Sequence, residues 1–251
     1  SPGLTQIRMR GGEANHTLVL VDGIEVSDPF YGEFDFGTLI ADDGARIEVL
    51  RGQQSALYGS DAIGGVIHYM SSSGRNAPGA SLRVEAGSFG TVNSAARWAG
   101  ATQGLDYALT ASLTSRDGTP NSRNGSRKLG KDALATAFKL SYVLNDSLKL
   151  TAVGRYGAVQ EDINSSDNNP ASKTFGYIVD SAGTQYRNIG LYGLIRADWS
   201  GLDGRWTQSL TLQAADTDRK GYSDDRRSSG DQGKRQKGSY ETSLLLGSGP
   251  V

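Results

Sequence analysis

From about residue 80 to the end of the chain, apolar and polar residues alternate one by one. In Leu105 to Ser115 the odd positions carry Leu105, Tyr107, Leu109, Ala111 and Leu113, and the even ones Asp106, Ala108, Thr110, Ser112 and Thr114. A period of two puts one set on each face of a β-strand, so one face is greasy and the other polar. The same split recurs in Leu134 to Leu144 (Leu134, Phe138, Leu140, Tyr142), Ser147 to Ala158 (Leu148, Leu150, Ala152, Tyr156), Ile189 to Trp199 and Trp206 to Ala214. Shorter versions occur at Leu82 to Ala86, Val92 to Trp98 and Tyr240 to Leu246. Eight strands are predicted, of about the 9 to 11 residues that cross a bilayer at a tilt.

The connections sort by length as well. Gly100 to Gly104, Asn145-Asp146 and Ser200 to Gly204 read as short turns, whereas Arg116 to Lys131, Glu161 to Arg187 and Thr217 to Gly238 read as long polar loops; only the hairpin at Gly87 to Gly90 is short where a long loop is due. Short turns on one rim and long loops on the other is the arrangement of outer-membrane barrels, the short turns being periplasmic. Trp98, Trp199 and Trp206 all fall near a short turn on the greasy register, with Tyr107 and Tyr142 nearby, where an aromatic girdle would lie at the interface.

The first 73 residues have a different texture. Ile7 to Arg10 and Thr17 to Val21 read as strands, Asp28 to Asp35 as an aromatic, acidic loop, and Arg46 to Leu50 and Val66 to Met70 as two strands flanking a dense small-residue bend. The glycines there allow positive φ and close approach. Residues 74–79, within Ser71 to Gly79, form a linker by composition, which separates residues 1–73 from 80–251.

The blocks Leu18-Val19-Leu20-Val21-Asp22-Gly23, Arg46 to Gly52 and Ser55 to Ile67 (SALYGSDAIGGVI) resemble the plug domain of TonB-dependent outer-membrane receptors. The resemblance implies a mainly β protein: the C-terminal part of an α+β plug followed by about eight strands of a transmembrane antiparallel β-barrel. A lumen that holds a folded plug needs on the order of 22 strands, so the chain is expected to be a fragment, its remaining strands and TonB-contacting N-terminal segment lying elsewhere in the full protein.

Function and site expectations follow from the same resemblance. It implies a ligand-gated active transporter in the outer membrane of a Gram-negative bacterium, with TonB as energy-coupling partner, outer-membrane lipid as surroundings, and cobalamin or a ferric siderophore as substrate. The vitamin B12 receptor subgroup is most similar, and its apical plug contacts align with Leu4, Gln6, Glu13, Tyr31 and Gly32. Glu13 and Tyr31 depart from the small polar character of those contacts, which keeps a siderophore as an equal alternative. Arg46, Glu48 and Arg51 take the positions of charges that pair with the barrel wall. That subgroup orders long loops with calcium; Asp117, Asp132, Glu161 and Asp162 are the nearest carboxylates, although a dense acidic triplet is absent. No cofactor is required. A passive porin or adhesin barrel would account for the strands and not for Leu18 to Met70. A soluble sandwich would need a second sheet over every greasy face.

Composition narrows the remaining classes. A formal net charge of -1 gives no electrostatic footprint for nucleic acid, and zero Cys removes disulfides, zinc clusters and thiol chemistry. No apolar run approaches the roughly 18 residues of a membrane helix, which leaves strands as the route across a bilayer. Gly125 to Lys131 has P-loop spacing, but Asp132 stands where Ser or Thr should bind magnesium, and Asp162 to Ser166 opens like an EF-hand without its Gly or final Glu. His16 and His68 have no second ligand spaced near them. Nothing in the chain reads as an enzyme.

Overall fold

A computed structural model describes residues 5–39, 45–122 and 124–246. After a 3₁₀ turn at Ala14–His16 come β1 (Thr17–Val21) and β2 (Ile24–Glu25), joined by Asp22-Gly23 with both φ positive, the geometry that a two-residue hairpin demands. A second 3₁₀ turn (Phe36–Thr38), β3 (Arg46–Arg51), one helical turn α1 (Ser55–Tyr58) and β4 (Gly65–Met70) complete the first unit. Its strands order β2-β1-β4-β3, with β1 and β4 parallel and the other pairs antiparallel. The predicted strand at Ile7 to Arg10 is absent: residues 5–9 are irregular and Arg10 sits at positive φ in a turn with Gly11.

The second unit is one eight-stranded antiparallel meander: β5 (Gly79–Gly87), β6 (Thr91–Ala101), β7 (Leu105–Arg116), β8 (Lys131–Asn145), β9 (Leu148–Asp162), then β12 (Gln185–Gly201), β13 (Trp206–Ser223) and β14 (Arg226–Leu244), with the small hairpin β10 (Ser165–Ser166) and β11 (Ile178–Val179) standing in the loop after β9. All eight predicted strands are present, each longer than its apolar core. The largest departure is Thr217 to Gly238, which reads as a loop yet forms the outer halves of β13 and β14, closed by a two-residue turn at Asp224-Asp225. Its physical reason is that both faces turn polar there: Asp216 on the outer face pairs with Lys234 across the ladder and Asp218 with Lys220. A strand that rises clear of an apolar surround needs no greasy face, so its composition mimics a loop.

The two faces of the sheet differ. Leu109 is 41% exposed, Leu150 39% and Leu191 57%, and Leu210, Leu212, Ile195 and Phe138 on the same register are exposed as well. No second sheet covers them among the described residues, as a sandwich would require. Trp199 and Trp206 meet edge to face at 5.2 Å beside the Leu202–Gly204 turn, and Trp98 meets Tyr107 at 5.2 Å beside the β6–β7 turn on the same rim.

The opposite, inner face carries the first unit. Val19, Val21, Ile24, Val26, Phe34 and Tyr69 form one core with Val153 of β9 and Leu194 of β12, so the first unit buries its apolar side against the sheet. Leu18, Ala62 and Val66 form a separate cluster on its far side.

Candidate functional site

The candidate site is the seam where residues 5–39 and 71 meet the inner face of the sheet. The ladder fixes what that face presents, because residues directly opposite in register share a face. Lys139, Val153, Leu194, Gln213 and Lys237 lie in one row across β8 to β14; Ala137, Arg155, Tyr192, Ala215 and Arg235 lie in the next. Above them come Ala135, Gly157, Gly190, Thr217 and Gly233, and then Ala133, Val159, Asn188, Arg219 and Asp231. The third row is a trough of small side chains. A Cβ added to Gly233 would meet Pro29 and Phe30 at 3.1 Å, so the loop of the first unit is seated against bare backbone there.

Cations flank the trough, and each meets a carboxylate from the first unit. Asp22, almost wholly buried, accepts from Lys139 Nζ at 2.9 Å and from the backbone and hydroxyl of Ser71, with Arg155 at 3.8 Å. Glu25 takes Arg235 and Lys237, both at 3.0 Å, and Arg235 also donates to the carbonyls of Glu25 and Ser27. Gln213 brackets the same turn, accepting from the Glu25 N–H at 3.1 Å and donating to the Gly23 carbonyl at 3.1 Å. Arg219 reaches Asp28 at 3.2 Å and Glu33 at 3.1 Å and lies 5.0 Å from the centre of the Tyr31 ring. A carboxylate buried this way survives only because its charge is matched and its lone pairs are filled.

Local sequence positions each group. Asp28 Oδ1 accepts from the N–H groups of Phe30 and Tyr31, both at 2.8 Å, which folds the loop back on itself while Oδ2 stays free for Arg219. Asp35 does the same for the next turn, accepting from Gly37 and Thr5. At the top, the Tyr31 hydroxyl donates to Asp231 Oδ2 at 2.6 Å, and that bond together with burial and the neighbouring carboxylate raises the Tyr31 phenol above its ordinary pKa.

Of the expected substrate contacts, Leu4 lies outside the described residues. Gln6 bonds Glu33, and through Glu33 and Arg219 it joins Tyr31 in one network. Gly32, at positive φ, packs close to Asn15, where a Cβ would come within 3.0 Å. Glu13 is separate from that network and pairs with Arg8 at 3.1 Å.

Arg46 and Glu48 pair with each other at 2.5 Å on β3, a strand exposed along both faces, and Arg51 is exposed at its end. Among the described residues the charges that meet these eight wall strands are Asp22, Glu25, Asp28 and Glu33. Composition marks the stretch from 28 to 35 as acidic and aromatic, and only the cations opposite reveal its role.

The four carboxylates considered for calcium are dispersed. Asp117 lies 3.6 Å from Lys128, Asp132 accepts from Ser115, Glu161 faces inward to Arg116 and Lys131, and Asp162 faces outward to Arg127. Neighbours on a strand point to opposite faces, which separates Glu161 from Asp162. No group of three metal-ligating side chains gathers among the described residues. The P-loop-like segment is also accounted for: the N–H groups of Ser126 and Arg127 donate to Asp180, so a carboxylate of the neighbouring loop holds the position a phosphate would take.

Comparison with known proteins agrees with this architecture. Residues 1–66 match the TonB-dependent Receptor Plug Domain. A vitamin B12 transporter, BtuB, of Vibrio vulnificus is 48% identical over 65 residues, 26% of this chain and 11% of that protein, and BtuB of Photobacterium profundum is 41% identical over 64 residues. The crystal structure of the siderophore receptor PiuA from Acinetobacter baumannii superposes with a TM-score of 0.66 at 15% identity, over 88% of this chain and 31% of that one. The chain thus spans about a third of the length of that receptor.

Proposed function

We propose that this chain, whose residues 1–66 match the TonB-dependent receptor plug domain and whose sheet superposes on part of a receptor of that kind, belongs to a ligand-gated active transporter of the Gram-negative outer membrane. Its cargo would be a scarce large nutrient, cobalamin or a ferric siderophore, and TonB would supply energy. The single observation that carries the proposal is the charge-matched seam. Four plug carboxylates meet five wall cations across a trough of small residues, so the plug sits in one fixed pose against the wall. A passive pore has no use for a folded domain clamped across its lumen.

Chemically, the seam divides into a deep part and an apical part. Asp22 and Glu25 lie low, among Lys139, Arg155, Arg235 and Lys237, and keep the plug docked. Gln6, Tyr31, Gly32, Glu33 and Arg219 lie at the apex, where Tyr31 remains accessible from above. Ligand arriving on Tyr31 would compete for its bond to Asp231 and its contact with Arg219, and so would couple occupancy to the ion network beneath. Plug movement then requires work against several buried ion pairs, which is where energy input from the inner membrane enters.

Growth rescue tests this. Cells lacking their own receptors and expressing the full-length protein should grow on cobalamin or on one of a panel of ferric chelates, and uptake should collapse when the proton gradient is dissipated. Uptake that persists without the gradient, or equal passage of unrelated small osmolytes, would establish a passive barrel instead.

A further inference from the structure

We propose that His68 is a proton-operated positioning residue: its neutral ring holds the Asp22-Gly23 turn in the docked pose, and its protonation loosens that turn from Lys139 and Arg155. This rests on Asp22 being part of a plug–wall lock, as read above, and concerns docking rather than cargo.

β4 runs between β1 and β3, and His68 lies across from Leu20 on one side and Glu48 on the other. The turn after β1 hangs from β4 by its two N–H groups. That of Asp22 donates to the Tyr69 carbonyl at 2.8 Å, and that of Gly23 donates to His68 Nε2 at 3.2 Å. The Gly23 carbonyl is meanwhile held by Gln213 of the wall, and the Asp22 carboxylate by Lys139, Arg155 and Ser71. One imidazole nitrogen is therefore the hinge pin of a turn whose other groups grip the barrel.

A neutral imidazole offers a single acceptor, and with Nε2 accepting its proton sits on Nδ1. The imidazolium has no acceptor at all. On protonation the Gly23 N–H loses its partner and faces a second N–H, while the new cation becomes a rival to Lys139 for Asp22. Burial is the main influence on the ring and lowers its pKa from the ordinary value; Asp22 on the turn and Glu48 on β3 favour the cation, and Lys139 on β8 opposes it. Arg155 on β9 also lies 3.8 Å from Asp22, and Arg46 neutralises part of the Glu48 charge. The ring is thus neutral at neutral pH and switches on the acid side.

Hydrogen exchange of the full-length receptor in detergent, corrected for intrinsic rates, tests this at about pH 7.5 and at a pH on the acid side of the His68 titration as followed by nitrogen NMR of the ring. Protection over residues 20–27 should fall about fivefold on acidification, the loss of roughly one hydrogen bond. His68→Gln, whose amide oxygen accepts at either pH, should keep that protection at both. Equal wild-type protection at the two pH values, or a parallel loss in the Gln variant, overturns the proposal. Should that variant fail to fold, nitrogen NMR of the His68 ring decides: a proton on Nε2 at neutral pH, or titration uncoupled from exchange at Gly23, is equally fatal. None of these readouts involves uptake, so the transport proposal fails or stands separately.

Discussion

The outer and inner faces of the eight-stranded sheet are built from the same strands, residue by residue in turn, yet they answer to different surroundings. Outward, Leu150, Leu191, Ile195 and Leu212 form a surface uniform enough to meet hydrocarbon anywhere along it. Inward, Lys139, Arg155, Arg219, Arg235 and Lys237 are each placed against a particular carboxylate. On the proposed reading the outer face meets lipid, a solvent that rewards average character, and the inner face meets a docked plug, a partner that rewards position. The same period of two therefore yields an interchangeable face and a specific one.

Substitutions on the two faces should fail differently. Arg219→Ala leaves Asp28 and Glu33 facing an empty site beneath the apical loop, and should cost plug docking about 3–5 kcal/mol. Denaturant unfolding of the full-length protein should then resolve an early plug transition ahead of the barrel; a single unchanged transition would count against the seam. Leu212→Lys, on the outer face, should destabilise the barrel in phospholipid vesicles by about 2–4 kcal/mol, with plug protection untouched. If Leu212→Lys were neutral in vesicles, that face would not be in lipid.

Gln213→Ala removes two neutral hydrogen bonds to the Gly23–Glu25 turn, and should raise exchange there by about 1–2 kcal/mol in opening free energy. Arg46→Ala, whose described partner is the exposed Glu48, should cost under about 1 kcal/mol. A loss of several kcal/mol in the full-length protein would mean that Arg46 pairs with wall strands beyond this chain, as the family resemblance implies.

The smallest effect is local. Asp180 clasps two loops through Ser122 and the N–H groups of Ser126 and Arg127, and these bonds hold its carboxyl below the usual carboxylate range. A folded pKa below the unfolded one contributes stability that is complete above about pH 4 and is lost as pH falls through the folded value. Exchange at Ser126 and Arg127 should therefore rise only in strong acid; a rise already at pH near 6 would assign the clasp to another group.

Strand existence was legible because alternation is a local property, repeated eight times. The outer halves of β13 and β14 were not, since Asp216, Asp218, Lys220 and Lys234 leave no greasy face to detect and are reconciled only by the ladder. The plug was legible through gapless blocks such as SALYGSDAIGGVI. Its docking charges were not: Lys139 lies 117 residues from Asp22 and Lys237 lies 212 from Glu25. Because Thr217 to Gly238 is polar on both faces, its composition also carries no sign of which way Arg219, Arg235 and Lys237 point.

By itself, then, the order of residues settled which side of each apolar strand segment is greasy, where the short turns of one rim fall, and the likeness of residues 1–66 to a plug domain. Those are consequences of neighbours one or two positions apart and of local blocks. Which polar side chains meet was decided only by the tertiary structure, because register across five strands places Lys139 and Lys237 in one row and brings Asp22 and Glu25 down upon them. An ion pair depends on distance in space, and nothing in the spacing along a chain measures that.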